Sequence, residues 1–117
     1  MSARRCMQQA EAKAGDSWDW RSCAESWKRL FGDDASARRC LQQAENKVDN
    51  SADWRSCAQS WKGIFGDDAS ARRCLREAEA IAEDLLDWRT CADGWHEVLG
   101  DIASAERCRH RAKEIKE

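Results

Sequence analysis

The chain has no proline and no tyrosine, and only two histidines among its 117 residues. It lacks any apolar run near the ~20 residues that a membrane-spanning helix needs, so no membrane span is expected. A mean hydropathy of −0.87 agrees with that. No positively charged stretch followed by an apolar one opens the chain; no secretory leader and a cytoplasmic setting are therefore expected. An excess of basic charge is missing too. Twenty Lys+Arg stand against 22 Asp+Glu, a net charge of −2, and a general nucleic-acid binder would carry a basic surplus. There is no nucleophile elbow, no phosphate loop, no recurring His–carboxylate pair and no close metal-ligand spacing. Neither an enzyme nor a cofactor is expected. The length fits one domain with a modest core.

What is abundant is cysteine and tryptophan, seven of each. An internal repeat explains both. Residues 1–34, 35–68 and 69–102 align without a gap, the first two blocks sharing 24 of 34 residues and the second and third 17. SARRC recurs at 36–40 and 70–74, DWRSCA at 53–58, and a partial fourth block runs over 103–117. The near-identity of two blocks fits a recent duplication or a consensus-type, designed array. The cysteines fall at 6, 23, 40, 57, 74, 91 and 108, always 17 apart, so each block is two half-units. Trp54, Cys57, Ala58, Trp61 and Phe65 have the spacing of an amphipathic helical face. Ala37, Cys40, Leu41, Ala44 and Val48 repeat it in the other half-unit. The tryptophan-bearing helix is termed A and the Ala/Leu-bearing helix B, giving seven helices in the order B-A-B-A-B-A-B. Gly32-Asp33 and Gly66-Asp67 read as a helix stop followed by a cap, and Gly15-Asp16-Ser17 and Asp49-Asn50-Ser51 read as the other turns. Glu83-Asp84-Leu85-Leu86 is the weakest break, where helix is expected to run closer to continuous.

Trp54-x2-Cys57-Ala58-x2-Trp61, followed by Ala71-x3-Leu75, carries a resemblance. Trp20, Cys23, Ala24, Trp27 with Ala37-x3-Leu41 repeat it, as do Trp88, Cys91, Ala92 and Trp95. The units resemble the tetratricopeptide repeat (TPR), a 34-residue helix–turn–helix family with the pattern W-x2-L-G-x2-Y, A-x3-F and P. Here Cys replaces Leu, Ala replaces Gly, the first turn is one residue longer and the proline is absent. The resemblance implies an all-α fold: a right-handed α-solenoid of αα-hairpins forming one domain over 1–117, with 103–117 as a capping helix. It also implies that the A helices line a groove offered to a peptide or protein.

Small residues such as Ala24, Ala58 and Ala92 permit close helix approach. Six tryptophans (20, 27, 54, 61, 88 and 95) fill core positions. Trp18 stands apart, with Ala52 and Leu86 as its equivalents, and is the better candidate for an exposed contact. The seven cysteines (Cys6, Cys23, Cys40, Cys57, Cys74, Cys91 and Cys108) are expected in one layer. That layer admits disulfides, a soft-metal or redox site, or inert fillers. Helix spacing exceeds disulfide reach and zinc sites favour closer pairs, so buried thiols are the favoured reading and thiol-based metal or redox chemistry the alternative.

Charges recur in columns. On the A helices Arg21, Arg55 and Arg89 align, then Glu25, Gln59 and Asp93, then Lys28, Lys62 and His96. With Trp18 they make the candidate partner-binding strip, suited to an acidic peptide. Pairing within a helix, Arg21 with Glu25 and Arg89 with Asp93, is the alternative. The family's full Lys/Asn carboxylate clamp is not reproduced. The Arg pairs 4–5, 38–39 and 72–73 of the B helices read as a solvated face balanced by the Asp-rich turns. In the last helix Arg109 and Lys116 replace apolar residues, as a polar terminal cap requires. The first helix lacks such a cap. Ala3, Met7 and Ala10 keep the apolar pattern with no A helix before them, and self-association through them, as a two-fold dimer, is expected.

Overall fold

The computed structural model describes residues 3–115 and is all-helical; among these residues there is no strand. The helices are α1 (Ala3–Lys13), α2 (Ser17–Phe31), α3 (Asp34–Asn46), α4 (Ser51–Phe65), α5 (Asp68–Ala80), α6 (Leu85–Leu99) and α7 (Ile102–Glu114). Lys116, one of the two expected capping residues, lies outside the described residues.

Local chemistry sets every boundary. Helices α2, α4 and α6 start at Asp16, Asn50 and Asp84, whose side chains accept from the backbone N–H of Asp19, Asp53 and Asp87 at 2.8 Å each. Those three Asp side chains reach back to accept from the N–H of Gly15, Asp49 and Glu83 at 2.9–3.0 Å, so two orphan donors are satisfied at each start. The same helices stop at Gly32, Gly66 and Gly100, with φ of 59°, 62° and 62°, a conformation that a side chain disfavours. One residue later Asp33, Asp67 and Asp101 cap α3, α5 and α7 by accepting from the N–H of Ser36, Ser70 and Ser104. The junction that looked weakest is a full break. Asp84 caps there as Asp16 does, and this overrides the helical look of Leu85-Leu86.

The chain divides into two compact units, Met1–Val48 and Asp49–Glu117. In the first, α2 packs closely on α3 and α1 rests more lightly on α2. In the second, α4 packs on α5 and α6 on α7, while α6 also lies against α4 and α5. The tight hairpins are therefore A followed by B, joined through Gly-Asp. They straddle the 34-residue blocks read from the start of the chain. Consequently α7 is the second helix of a hairpin with α6, and not an isolated cap. Among the described helices it is α1 that has no A helix before it.

The core follows the expected small-residue pattern. Ala24, Ala37, Leu41, Ala44, Ala58, Ala71, Leu75 and Ala78 are fully buried, and Trp27, Trp61 and Trp95 nearly so. Trp20, Trp54 and Trp88 differ: each is only half-buried, because the first turn of an A helix covers just one side of so large a ring. Six cysteines are buried, but Cys6 is exposed. Cys40, Cys74 and Cys108 each lie on a B helix that an A helix precedes, and α1 has none. Met7 departs from expectation the other way, being buried because α2 covers it.

Candidate functional site

Three recurring side-chain arrangements were open to a functional reading: the cysteine layer, the tryptophans and the A-helix charge columns.

No cysteine forms a disulfide. Burial pushes the thiols of Cys40, Cys91 and Cys108 up to about 12, with the nearby carboxylates of Glu11 (for Cys40) and Glu79 (for the other two) adding to it. Cys23 is raised for the same reason, burial first. Thiols so disposed stay protonated near neutrality, and the thiolate is the form that attacks or binds a metal. Among the described residues no group of three or more His, Cys, Asp or Glu could hold a metal ion.

Glu11 and Glu79 hold the buried tryptophans. Trp27 Nε1 donates to Glu11 at 2.9 Å and Trp95 Nε1 to Glu79 at 2.8 Å. Each carboxylate also receives an arginine from the next B helix, Arg39 on Glu11 and Arg107 on Glu79. Burial alone would raise the Glu11 carboxyl, but hydrogen bonds from Arg39 and Trp27 and the charge of Arg39 outweigh it and hold its pKa below the usual range. Arg72 and Arg107 each lie 5.9 Å from a Trp95 ring centroid. The Trp27 and Trp95 indoles thus have satisfied N–H groups and act as packing elements, whereas Trp20 Nε1 is buried without a hydrogen-bond partner. Sequence reasoning passed over these glutamates, although Glu11, Glu45 and Glu79 recur at the block period.

The charge columns are placed as follows. On α2, Trp18 is exposed, 65% of its surface being accessible; Glu25 is exposed, Arg21 is half-buried, and Lys28 pairs with Asp34. On α4, Gln59 and Lys62 are exposed, and Lys62 pairs with Asp68. On α6, Arg89, Asp93 and His96 are all exposed. In Asp49–Glu117, where α4 packs against α6, Gln59, Lys62, Arg89, Asp93 and His96 are all exposed. Arg55 does not join it as a free charge. Its stem lies against the backbone of Gly94, its Nη2 pairs with Glu97, and its Nε is buried without a hydrogen bond. The alternative of Arg21–Glu25 and Arg89–Asp93 pairs within a helix is not realised: neither pair forms. Arg4 and Arg72 reach turn residues Asp33 and Asp101, as the balance of charges implied. Hydrogen bonds from Ser36 and Ser104 hold those two carboxyls below their usual range. For self-association, Ala3 and Ala10 are exposed but Met7 is not, which removes the largest apolar member of that patch.

Neither a protein-family model nor a curated protein nor a solved structure matches the chain.

Proposed function

We propose that the protein is a non-enzymatic interaction or scaffold module, a TPR-like α-solenoid of right-handed sense whose A helices offer a strip to a peptide or protein partner, acidic segments being favoured. The observation that carries this reading is that Gln59, Lys62, Arg89, Asp93 and His96 stand exposed on two helices, α4 and α6, that pack together. Their opposite sides bury Cys57, Ala58, Trp61, Cys91, Ala92 and Trp95. A strip of exposed polar side chains on rigid helices, with arginine and histidine among them, suits a carboxylate-bearing segment. Thiol-based metal or redox chemistry is the weaker reading, because the buried, protonated cysteines lack the thiolate that it needs. The strip is tested by fluorescence anisotropy with a labelled acidic peptide, comparing the parent chain with one in which the exposed Lys62 and Arg89 are both changed to Glu. Loss of binding is the expected result. Binding that survives the double change removes the strip as the site.

A further inference from the structure

Helix α7 departs from α5 at several positions, and among them are the three through which α5 contacts the following hairpin. Within Asp49–Glu117, Arg72 of α5 reaches Asp101 at 3.3 Å. Leu75 sits so close to α6 that a Cβ added at Gly94 would lie 2.6 Å from its Cδ2. Glu79 accepts from Trp95 Nε1 at 2.8 Å. The residues 34 positions on, in α7, are Glu106, Arg109 and Lys113. Cation has become anion, apolar has become cation, and anion has become cation. Meanwhile Ala78 and Ile81 are kept as Ala112 and Ile115, Arg55 as Arg89, and Ser51 becomes Leu85.

These residues line an open cleft of about 360 Å³, formed by Leu85, Arg89, Arg109, Ala112, Lys113 and Ile115. A second cleft of about 260 Å³ shares Arg109 and Lys113 with it. By the repeat, the larger cleft occupies on α6 and α7 the place that α6 itself fills on α4 and α5. Its floor is apolar and its rim is cationic. Among the described residues the side chains of Arg89, Arg109 and Lys113 form no hydrogen bond or ion pair, unlike Arg55, Arg72 and Arg107.

We propose that this face of α6 and α7 docks an acidic amphipathic helix of a partner protein, seated where the repeat would place a further A helix. Its carboxylates occupy the places of Gly94, Trp95 and Glu97, opposite Arg109, Lys113 and Arg89. Another unit of the same kind is refused. Its tryptophan N–H would face an ammonium instead of a carboxylate, donor against donor, and a guanidinium would stand where the Leu75 methyls lie in the interior. A cap that served solubility alone would need polarity of either sign; the cleft instead gathers, around Leu85, Ala112 and Ile115, three cations that pair with no described residue. The site is separate from the A-helix strip except for Arg89, and holds whether or not that strip binds a ligand.

The test is an NMR titration of the isotope-labelled full chain with two synthetic peptides. One spans residues 84–100 unaltered; the other carries Gly94→Asp and Trp95→Glu. The acidic peptide is expected to shift resonances at 85–89 and 109–115 and to bind about tenfold more tightly than the unaltered one. Changing Arg109→Leu and Lys113→Glu in the full chain restores residues that α5 already carries, so helix and fold are kept, which circular dichroism checks. That variant is expected to lose about tenfold in affinity for the acidic peptide and to gain affinity for the unaltered one. Equal binding of both peptides overturns the proposal, since the seat then takes a further unit of the same kind. Three other results do so as well: no shift at ~2 mM peptide, shifts confined to Gln59, Lys62 and Asp93, or the same shifts from inorganic phosphate alone.

Discussion

Replacing Glu79 tests how the buried tryptophans are held. Its carboxylate accepts from Trp95 Nε1 at 2.8 Å and from Arg107 at 2.7 Å. Trp95 is 1% exposed, so in Glu79→Ala its N–H loses its partner in a place water does not readily reach. A stranded buried donor costs about 1–3 kcal/mol. The Arg107 side chain is 54% exposed, so that ion pair adds only about 0.5 kcal/mol. Glu79→Ala should therefore destabilise Asp49–Glu117 by about 2–3 kcal/mol. Glu79→Gln keeps an acceptor for the indole and gives up only the charge, for a loss near 1 kcal/mol. Urea unfolding followed by circular dichroism and tryptophan fluorescence reads both numbers. Glu11→Ala and Glu11→Gln repeat the comparison in Met1–Val48, where Trp27 and Arg39 play the same parts. If the Ala and Gln variants at either position lose the same amount, the indole bond contributes nothing and the reasoning fails.

Gly63→Ala should stabilise by about 0.5 kcal/mol, because the residue is helical, in the last turn of α4, with no atom within 4 Å of the added Cβ. Gly94→Ala should instead destabilise by about 1 kcal/mol in the same unfolding assay, since overpacking against the buried Leu75 outweighs the propensity gain. The pH profile should fall at both ends. Carboxyls held low in the fold, Glu11 among them, contribute stability above the usual 4.5 that is lost as pH drops through their lowered values. Thiols held up to about 12 contribute stability that is whole below 9.0 and lost as pH rises from there toward 12. Cys91→Ala should shallow the alkaline slope by up to about 1.4 kcal/mol per pH unit; an unchanged slope would refute the assignment. With a chromogenic thiol reagent the native chain should react quickly at Cys6 alone, and at all seven cysteines only after unfolding. Rapid native reaction of several thiols would contradict the buried layer.

The 17-residue spacing was enough to read seven helices and their buried small residues, because each helix repeats one local pattern of apolar positions and caps. Properties that depend on neighbours were not available in that way. Cys6 has the same sequence surroundings as Cys40, yet only one of them has an A helix before it. Met7 has Leu41 and Leu75 as equivalents, and whether α2 covers it depends on how α1 packs on its neighbour, which the repeat pattern does not fix. At Asp84 the capping chemistry was present, but the Leu85-Leu86 pair obscured it. The glutamates that hold Trp27 and Trp95 lie 16 residues away on another helix, beyond the reach of any helical periodicity, although their recurrence was in plain view.

The arginine column shows why repetition in sequence does not make equivalent sites. Arg21, Arg55 and Arg89 occupy one position of the repeat, but Glu97, which pairs with Arg55, has Gly63 and Arg29 as its counterparts. The partner thus exists in one A helix only. Gly94 is equally singular, with Ser60 and Ser26 at its position, and the missing Cβ is what lets the Arg55 stem lie against α6. Two substitutions in α6 have therefore turned Arg55 into part of the helix packing. Arg89 has no such neighbour and remains exposed, at the point where the strip of α6 meets the cleft of α7. If an anionic partner binds this chain, its affinity should depend more on Arg89 than on Arg55. Single charge reversals would separate the two, with Arg89→Glu weakening binding and Arg55→Glu chiefly lowering stability.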